Sequence, residues 1–162
     1  MSRPSFPGLD DRPRWSTLTV MHLAERTALD LDKPALVFEG AQRTYRELRE
    51  RYRRVANALG ALGIEPFDRV AITTPNRLEY LEAELGISGA GGIMVALSWR
   101  LAPAERVNLL ERSRSRLVFC DERYLPELED AKSEGRLADL ERIVVFGEQY
   151  EELVASGSTE RP

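Results

Sequence analysis

The stretch RVAITTPNRLEYLEAELGISGAGGIMVALSWRLAPAE, residues 69–105, decides the fold. It opens on a short apolar run, Arg69–Thr73, which reads as a strand and stops at Pro75-Asn76. Asn76 followed by Glu79 has the spacing of a helix cap, so a helix is expected over Arg77–Gly89, burying Leu78, Leu81, Leu85 and Ser88. Ile93–Leu97 is wholly apolar, the pattern of a strand covered on both faces. Pro103 then opens a helix to Ser113 at a position where its missing N–H costs nothing. Strand, helix, strand, helix is the rhythm of a parallel sheet with helical crossovers.

Glycines at 86, 89, 91 and 92 raise the question of a phosphate cradle. A phosphate loop needs glycines after a strand and before a helix, so that amides and the helix N-terminus face the anion. Here they close a helix and precede a strand, and the nearby helix end carries partial negative charge. The G-x-G-x-x-G spacing is absent as well. These are packing glycines: small residues at 86, 89 and 90 let the helix lie close on the sheet, and Gly91-Gly92 reverse the chain.

Outward from this stretch, the pattern persists. Residues 1–16 are rich in proline and charge and read as a flexible arm. A short helix is expected over Thr17–Thr27 with Val20, Leu23 and Ala24 inward; His22 on it is given no role. Ala35–Glu39 and Gln42–Thr44 form a hairpin about Gly40-Ala41. Thr44 with Glu47 is a capping box. The helix it starts places Leu48, Tyr52, Val55, Ala56, Leu59 and Leu62 inward, leaves Arg49, Glu50, Arg53 and Arg54 on the wet side, and stops at Gly63. After Ser113 come strand Arg116–Cys120, a helix near Tyr124–Glu134, strand Arg142–Phe146 and a helix near Gln149–Val154. ASGST, residues 155–159, has loop composition, but a helix and no strand feeds it; residues 156–162 read as a solvated tail. The fold class is α/β, a mostly parallel sheet flanked by helices with a short N-terminal β-hairpin.

At 162 residues with 43% apolar and 31% charged, the chain fits one soluble domain. The net charge of −4, with both signs interspersed, argues against nucleic acid or an anionic membrane as partner. The single cysteine, Cys120, excludes an intrachain disulfide. No apolar run reaches membrane-spanning length and the first residues have no signal core, so the expected compartment is the cytoplasm.

Catalytic chemistry is thin. No carboxylate pair, metal-ligand spacing or nucleophile with a nearby histidine stands out, so no catalytic and no metal residue is assigned. Cys120 ends an apolar strand and reads as a buried, inert thiol. Ser98, Trp99 and Arg100 are the pocket-edge candidates for cofactor binding. They follow a strand at the carboxyl edge, where open α/β sheets hold ligands. The bland alternative is a tryptophan covering the sheet edge beside a solvated arginine.

TYREL at 44–48, DRVAITTPNRLEYLEAELGISGAGGIMVALSWRLAPAE at 68–105 and SRLVFCDE at 115–122 together resemble the N-terminal region of the adenylate-forming ligases, closest to the acyl-CoA synthetases. The resemblance covers residues 17–155. It departs at Ala96 and Ser98, where the family has proline and asparagine, and at Ala102, where it has a Ser/Thr cap. It implies the first subdomain of the AMP-binding domain, and a family reaction in which a carboxylic acid is activated by ATP with Mg²⁺ and passed to CoA, as in fatty acid metabolism. The family's ATP-binding loop and catalytic lysine match no position here. The chain alone is therefore expected to lack activity and to need no cofactor. Three readings stand: a truncated or split ligase completed by another chain, a non-catalytic interaction module that self-associates or binds through an uncovered subdomain face, and an unrelated nucleotide-binding domain.

Overall fold

A computed structural model describes residues 20–27 and 31–162. The expected arm and the His22 side chain lie outside what is described. The elements run α1 (Val20–Thr27), β1 (Pro34–Phe38), β2 (Ala41–Thr44), α2 (Tyr45–Ala61), β3 (Arg69–Thr73), α3 (Leu78–Gly89), β4 (Ile93–Ala96), α4 (Pro103–Ser113), β5 (Leu117–Cys120), α5 (Leu125–Ser133), β6 (Arg142–Val145) and α6 (Glu148–Ser156). The hairpin β1–β2 is antiparallel; the other four strands form one parallel sheet in the order β4-β3-β5-β6.

Alternation along the inner strands splits the core in two. Val70 and Ile72 of β3 and Leu117 and Phe119 of β5 face Val55 and Leu59 of α2, Ala83 and Ile87 of α3, and Tyr150 and Val154 of α6. Ala71, Val118 and Cys120 point the other way, against Val107 and Leu110 of α4 and Leu128 and Ala131 of α5. A smaller cluster, Met21, Leu48, Tyr52 and Leu85, lies under α1.

The Thr44 capping box forms as expected: Thr44 Oγ1 accepts from the Glu47 N–H at 3.2 Å and Glu47 accepts from the Thr44 N–H at 2.7 Å. Gly63 takes positive φ after α2. Other expectations fail for physical reasons. Asn76 does not cap α3. Arg77 takes the cap position without a side-chain cap bond, since a guanidinium has no acceptor to offer, and its Nε donates to Glu79 at 3.0 Å. On α1 Met21 is fully buried and Ala24 packs partly buried against the same cluster as expected, while Val20 is 57% exposed.

Gly86 and Gly89 bring α3 close to α2 and α1, not to the sheet: a side chain at 86 would overlap Val55, and one at 89 would meet Met21 and Ala56. Gly91, at φ 78, makes the expected reversal. The apolar strand Ile93–Ala96 is an edge strand within this chain, with Ile93 46% exposed; the strand buried at every position is β5.

The arginines of α2 are not simply solvated. Arg53 pairs with Glu25 of α1 at 2.7 Å, Arg49 Nη2 donates to the Glu25 carbonyl at 3.2 Å, and Arg54 Nη1 donates to the Gly157 carbonyl at 2.8 Å. Asn57 Nδ2 holds the carbonyls of Ser158 and Glu160, both at 2.9 Å, so the segment after α6 lies along α2. Gly157 is required at that approach, since any Cβ would run into the Arg54 carbonyl.

Candidate functional site

The sheet order creates a switch point. From β3 the chain crosses to β4 on one side and then to β5 on the other. The carboxyl ends of neighbouring strands therefore lead away in opposite directions, and a crevice opens above them. It is occupied by a cleft of about 740 Å³. Thr74–Leu78 and Glu79 line it after β3, Trp99 and Arg100 after β4, and Asp121 and Arg123 after β5. The β1–β2 turn, with Phe38, Glu39 and Ala41, overhangs it as a further wall.

Two of the three expected pocket-edge residues meet here. Trp99 is 39% exposed, and the Arg100 guanidinium carbon lies 4.3 Å from its ring centroid. Ser98 does not line the cleft. Its hydroxyl accepts the Arg100 N–H at 3.3 Å, bending the chain that presents the two side chains.

Three guanidinium groups border the cleft, with different freedom. Arg77 is held by Glu79 and sits 4.4 Å from the centre of the Phe146 ring; Arg123 is held by Asp121 at 2.7 Å. Among the described residues, no carboxylate pairs with Arg100. Burial is the largest single effect and raises the Glu79 carboxyl, but the Arg77 hydrogen bond, a backbone hydrogen bond and the charges of Arg77 and Arg43 together outweigh it and leave Glu79 below the ordinary carboxylate value. Thr74 is 5% exposed, and its Oγ1 has no hydrogen-bond partner among the described residues. A buried hydroxyl without a partner is costly and rare, and here it sits in the wall of a cleft.

Two supporting groups are not singled out by the sequence reading. Arg106, on α4, is 2% exposed and packs beneath the turn that carries Trp99. The available signal was its place beside Val107 and four residues before Leu110, on the helix's inner stripe, where an arginine needs a buried partner. The second is Thr74 itself, which reads as an ordinary residue after a strand. Cys120 is buried, and desolvation, with Asp121 adding to it, pushes its thiol up to about 12, so it stays protonated near neutrality.

Away from the cleft, the fully buried Glu82 joins four elements. It receives Arg43 Nε at 3.2 Å and the Tyr150 hydroxyl at 3.2 Å, and Arg51 Nε lies 2.7 Å away without hydrogen-bond alignment. Tyr150 is raised well above the ordinary tyrosine value by burial and by the Glu82 charge. None of the four side chains of this network lines the cleft. Among the described residues, no three His, Cys, Asp or Glu side chains gather as a metal site, and no helix is long and apolar enough to cross a membrane.

Known proteins share both the sequence and this architecture. Residues 23–161 match the family described as AMP-binding enzyme. The 4-hydroxybutyrate–CoA ligase 2 of Metallosphaera sedula is 32% identical over 133 residues, which cover 81% of this chain and 24% of that protein. The fatty acid–[acyl-carrier-protein] ligase ScoC of Streptomyces coeruleorubidus is 34% identical over 117 residues, 72% of this chain and 22% of its own length. The anthranilate CoA ligase AuaEII, solved with anthranoyl-AMP, superposes with a TM-score of 0.81 at 27% identity, covering 88% of this chain and 28% of that one. The chain thus spans about a quarter of the length of the curated relatives it matches. With most of its length inside the matched region, the chain belongs to the AMP-binding enzyme family.

Proposed function

We propose that the chain is the amino-terminal subdomain of an ATP-dependent, AMP-forming acyl- or aryl-CoA ligase, and that the cleft above β3, β4 and β5 holds an anionic part of a substrate. The observation that supports the second part is the pairing of Arg100, free of a carboxylate among the described residues, with the unpartnered Thr74 hydroxyl in the same wall. A guanidinium offers planar, multiple donors to phosphate or carboxylate oxygens, and Trp99 offers an apolar face beside it.

In the reaction, a carboxylate oxygen attacks the α-phosphorus of ATP and pyrophosphate leaves; a thiol then attacks the acyl carbon and AMP leaves. Mg²⁺ in such a reaction stabilises charge building on the phosphates. Neither lysine of the chain, Lys33 or Lys132, lines the cleft. The part assigned to this subdomain is to bind and orient. The full protein would be a soluble, cytoplasmic enzyme acting on a carboxylic acid and CoA.

Two measurements test this. Carboxylate-dependent ATP–pyrophosphate exchange by the purified chain is expected to be absent; clear exchange would overturn the claim of inactivity. Titration with CoA and with ATP is expected to show binding of at least one, weakened by Arg100→Ala. Equal, undetectable binding of both by the wild-type chain would sink the cleft assignment.

A second reading rests on β4. It is an apolar edge strand with no strand on its outer side among the described residues, a ready template for pairing with another chain.

A further inference from the structure

The turn joining β4 to α4 is closed by one backbone bond, the Leu101 N–H donating to the Ser98 carbonyl at 3.2 Å, and is held further by side chains. Arg106 Nη1 donates to Thr73 Oγ1 at 3.1 Å and to the Ser98 carbonyl at 3.3 Å, and its Nη2 donates to the Leu101 carbonyl at 2.8 Å. Its Nε donates to Glu127. The guanidinium carbon lies 3.9 Å from the Tyr124 ring centroid, and the Tyr124 hydroxyl donates to the Trp99 carbonyl at 3.0 Å. Two side chains thus take the carbonyls of Ser98, Trp99 and Leu101 within one four-residue turn.

Burying a guanidinium is an expensive way to stabilise a helix–sheet contact. Apolar side chains of similar volume often do as well or better. What only the planar fork supplies is several directed donors at fixed angles. Every one of those donors is aimed at the end of β3, at α5, or at this turn. The turn's own outward side chains, Trp99 and Arg100, are the ones that border the cleft.

We infer that Arg106 is a positioning residue: with Tyr124 it fixes the Ser98–Leu101 turn so that Trp99 and Arg100 stand in one arrangement at the cleft before any ligand arrives. Holding a binding turn in place beforehand removes ordering cost from the binding step. The inference rests on the cleft being a ligand site, and its test separates the two. Thr73, at the end of β3, is tied to the same guanidinium, so the turn is registered against the strand that precedes the unpartnered Thr74.

The experiment uses the full chain with Trp15→Phe, which leaves Trp99 as the sole tryptophan. Arg106→Lys and Tyr124→Phe are compared with Val144→Ala, a core truncation in the cluster on the other face of the sheet. Thermal midpoint, Trp99 anisotropy, acrylamide quenching and CoA titration are read for each. Arg106→Lys is expected to raise the quenching constant about twofold, lower the anisotropy and weaken CoA binding about tenfold. Tyr124→Phe should move the same readouts by less, and Val144→Ala should lower the midpoint while leaving Trp99 unmoved. Unchanged Trp99 signals in both Arg106→Lys and Tyr124→Phe, or the same response from Val144→Ala, would overturn the positioning role. Should Arg106→Lys fail to fold, Tyr124→Phe decides alone, since it keeps the buried ring and deletes one hydrogen bond. Should Trp99 respond as expected while wild-type chain binds neither CoA nor ATP, the positioning role stands and the cleft assignment falls.

Discussion

At the scale of single residues, the glycines of α3 show how a small side chain can act by contact. An alanine at 86 would gain about 1 kcal/mol of helix propensity over glycine. It would also drive a methyl into Val55, close to the Tyr52 carbonyl, in a helix pair that cannot easily separate. Overpacking of this kind costs about 1–3 kcal/mol, so the strain wins and Gly86→Ala is expected to be destabilising. Gly89→Ala meets most closely the sulfur of Met21, the far part of a flexible side chain, and the rigid Ala56 Cβ only at 2.9 Å, so it should cost less. Urea unfolding of the two variants checks the order. A Gly86→Ala chain as stable as wild type would mean that α2 and α3 are not this close. That glycines 86 and 89 serve packing was legible from their order in the chain. Which neighbour they pack against was not, because helix–helix contact depends on where α2 lies across the sheet.

At the scale of elements, the polar link between α1 and α2 runs through one carboxylate. Glu25 is held below the ordinary carboxyl value of 4.5 by the Arg53 hydrogen bond first, against a smaller opposing effect of burial, with Tyr52 and Arg49 adding to the lowering. A carboxyl lowered on folding contributes stability that is present above its unfolded value and lost as pH falls through its folded value. The α1–α2 contact is therefore expected to loosen below about pH 4.5, before the sheet does. Amide exchange of α1 against that of β5 across this range reads it, with Glu25→Gln flattening the dependence. Simultaneous loss of both elements would show that α1 has no separate acid transition. The elements themselves were largely readable: the capping box at Thr44, the four apolar runs and the helix opening at Pro103 all appear where the pattern puts them. The failures have two causes. At the start of α3 the pairing that forms, Arg77 with Glu79, is itself local, only two residues apart. Met21 and Glu25 prevail over the spacing-based readings of Val20 and the α2 arginines through tertiary contacts that spacing does not encode.

At the scale of the whole molecule, the sheet has two unequal edges. On β6, the Val145 N–H is already taken by the Gln149 side chain at 3.0 Å, and Arg142 adds charge to that strand. β4 has neither device, and its first residue, Ile93, is an exposed apolar side chain. A wholly apolar run suggested an interior strand; within this chain the same residues form the edge. The isolated chain is expected to associate as concentration rises, and Ile93→Lys to keep it monomeric; light scattering after size exclusion compares them. A wild-type chain that stays monomeric at all concentrations would count against any use of this edge. The cleft was only half legible. Trp99 and Arg100 could be placed at the carboxyl edge from strand order, but the hairpin wall, Thr74 and Arg106 arrive from sequence-distant elements.

The strand order has a bearing on how the chain is made. β3 leaves the ribosome first of the four sheet strands, yet it ends up between β4 and β5. Each later strand joins an edge that is already exposed, β4 on one side of β3, then β5 on the other, then β6 beyond it. No strand has to be threaded between two neighbours already paired. The sheet can therefore grow in the order of translation, with β3 as its seed and each crossover helix covering the newest strand before the next emerges.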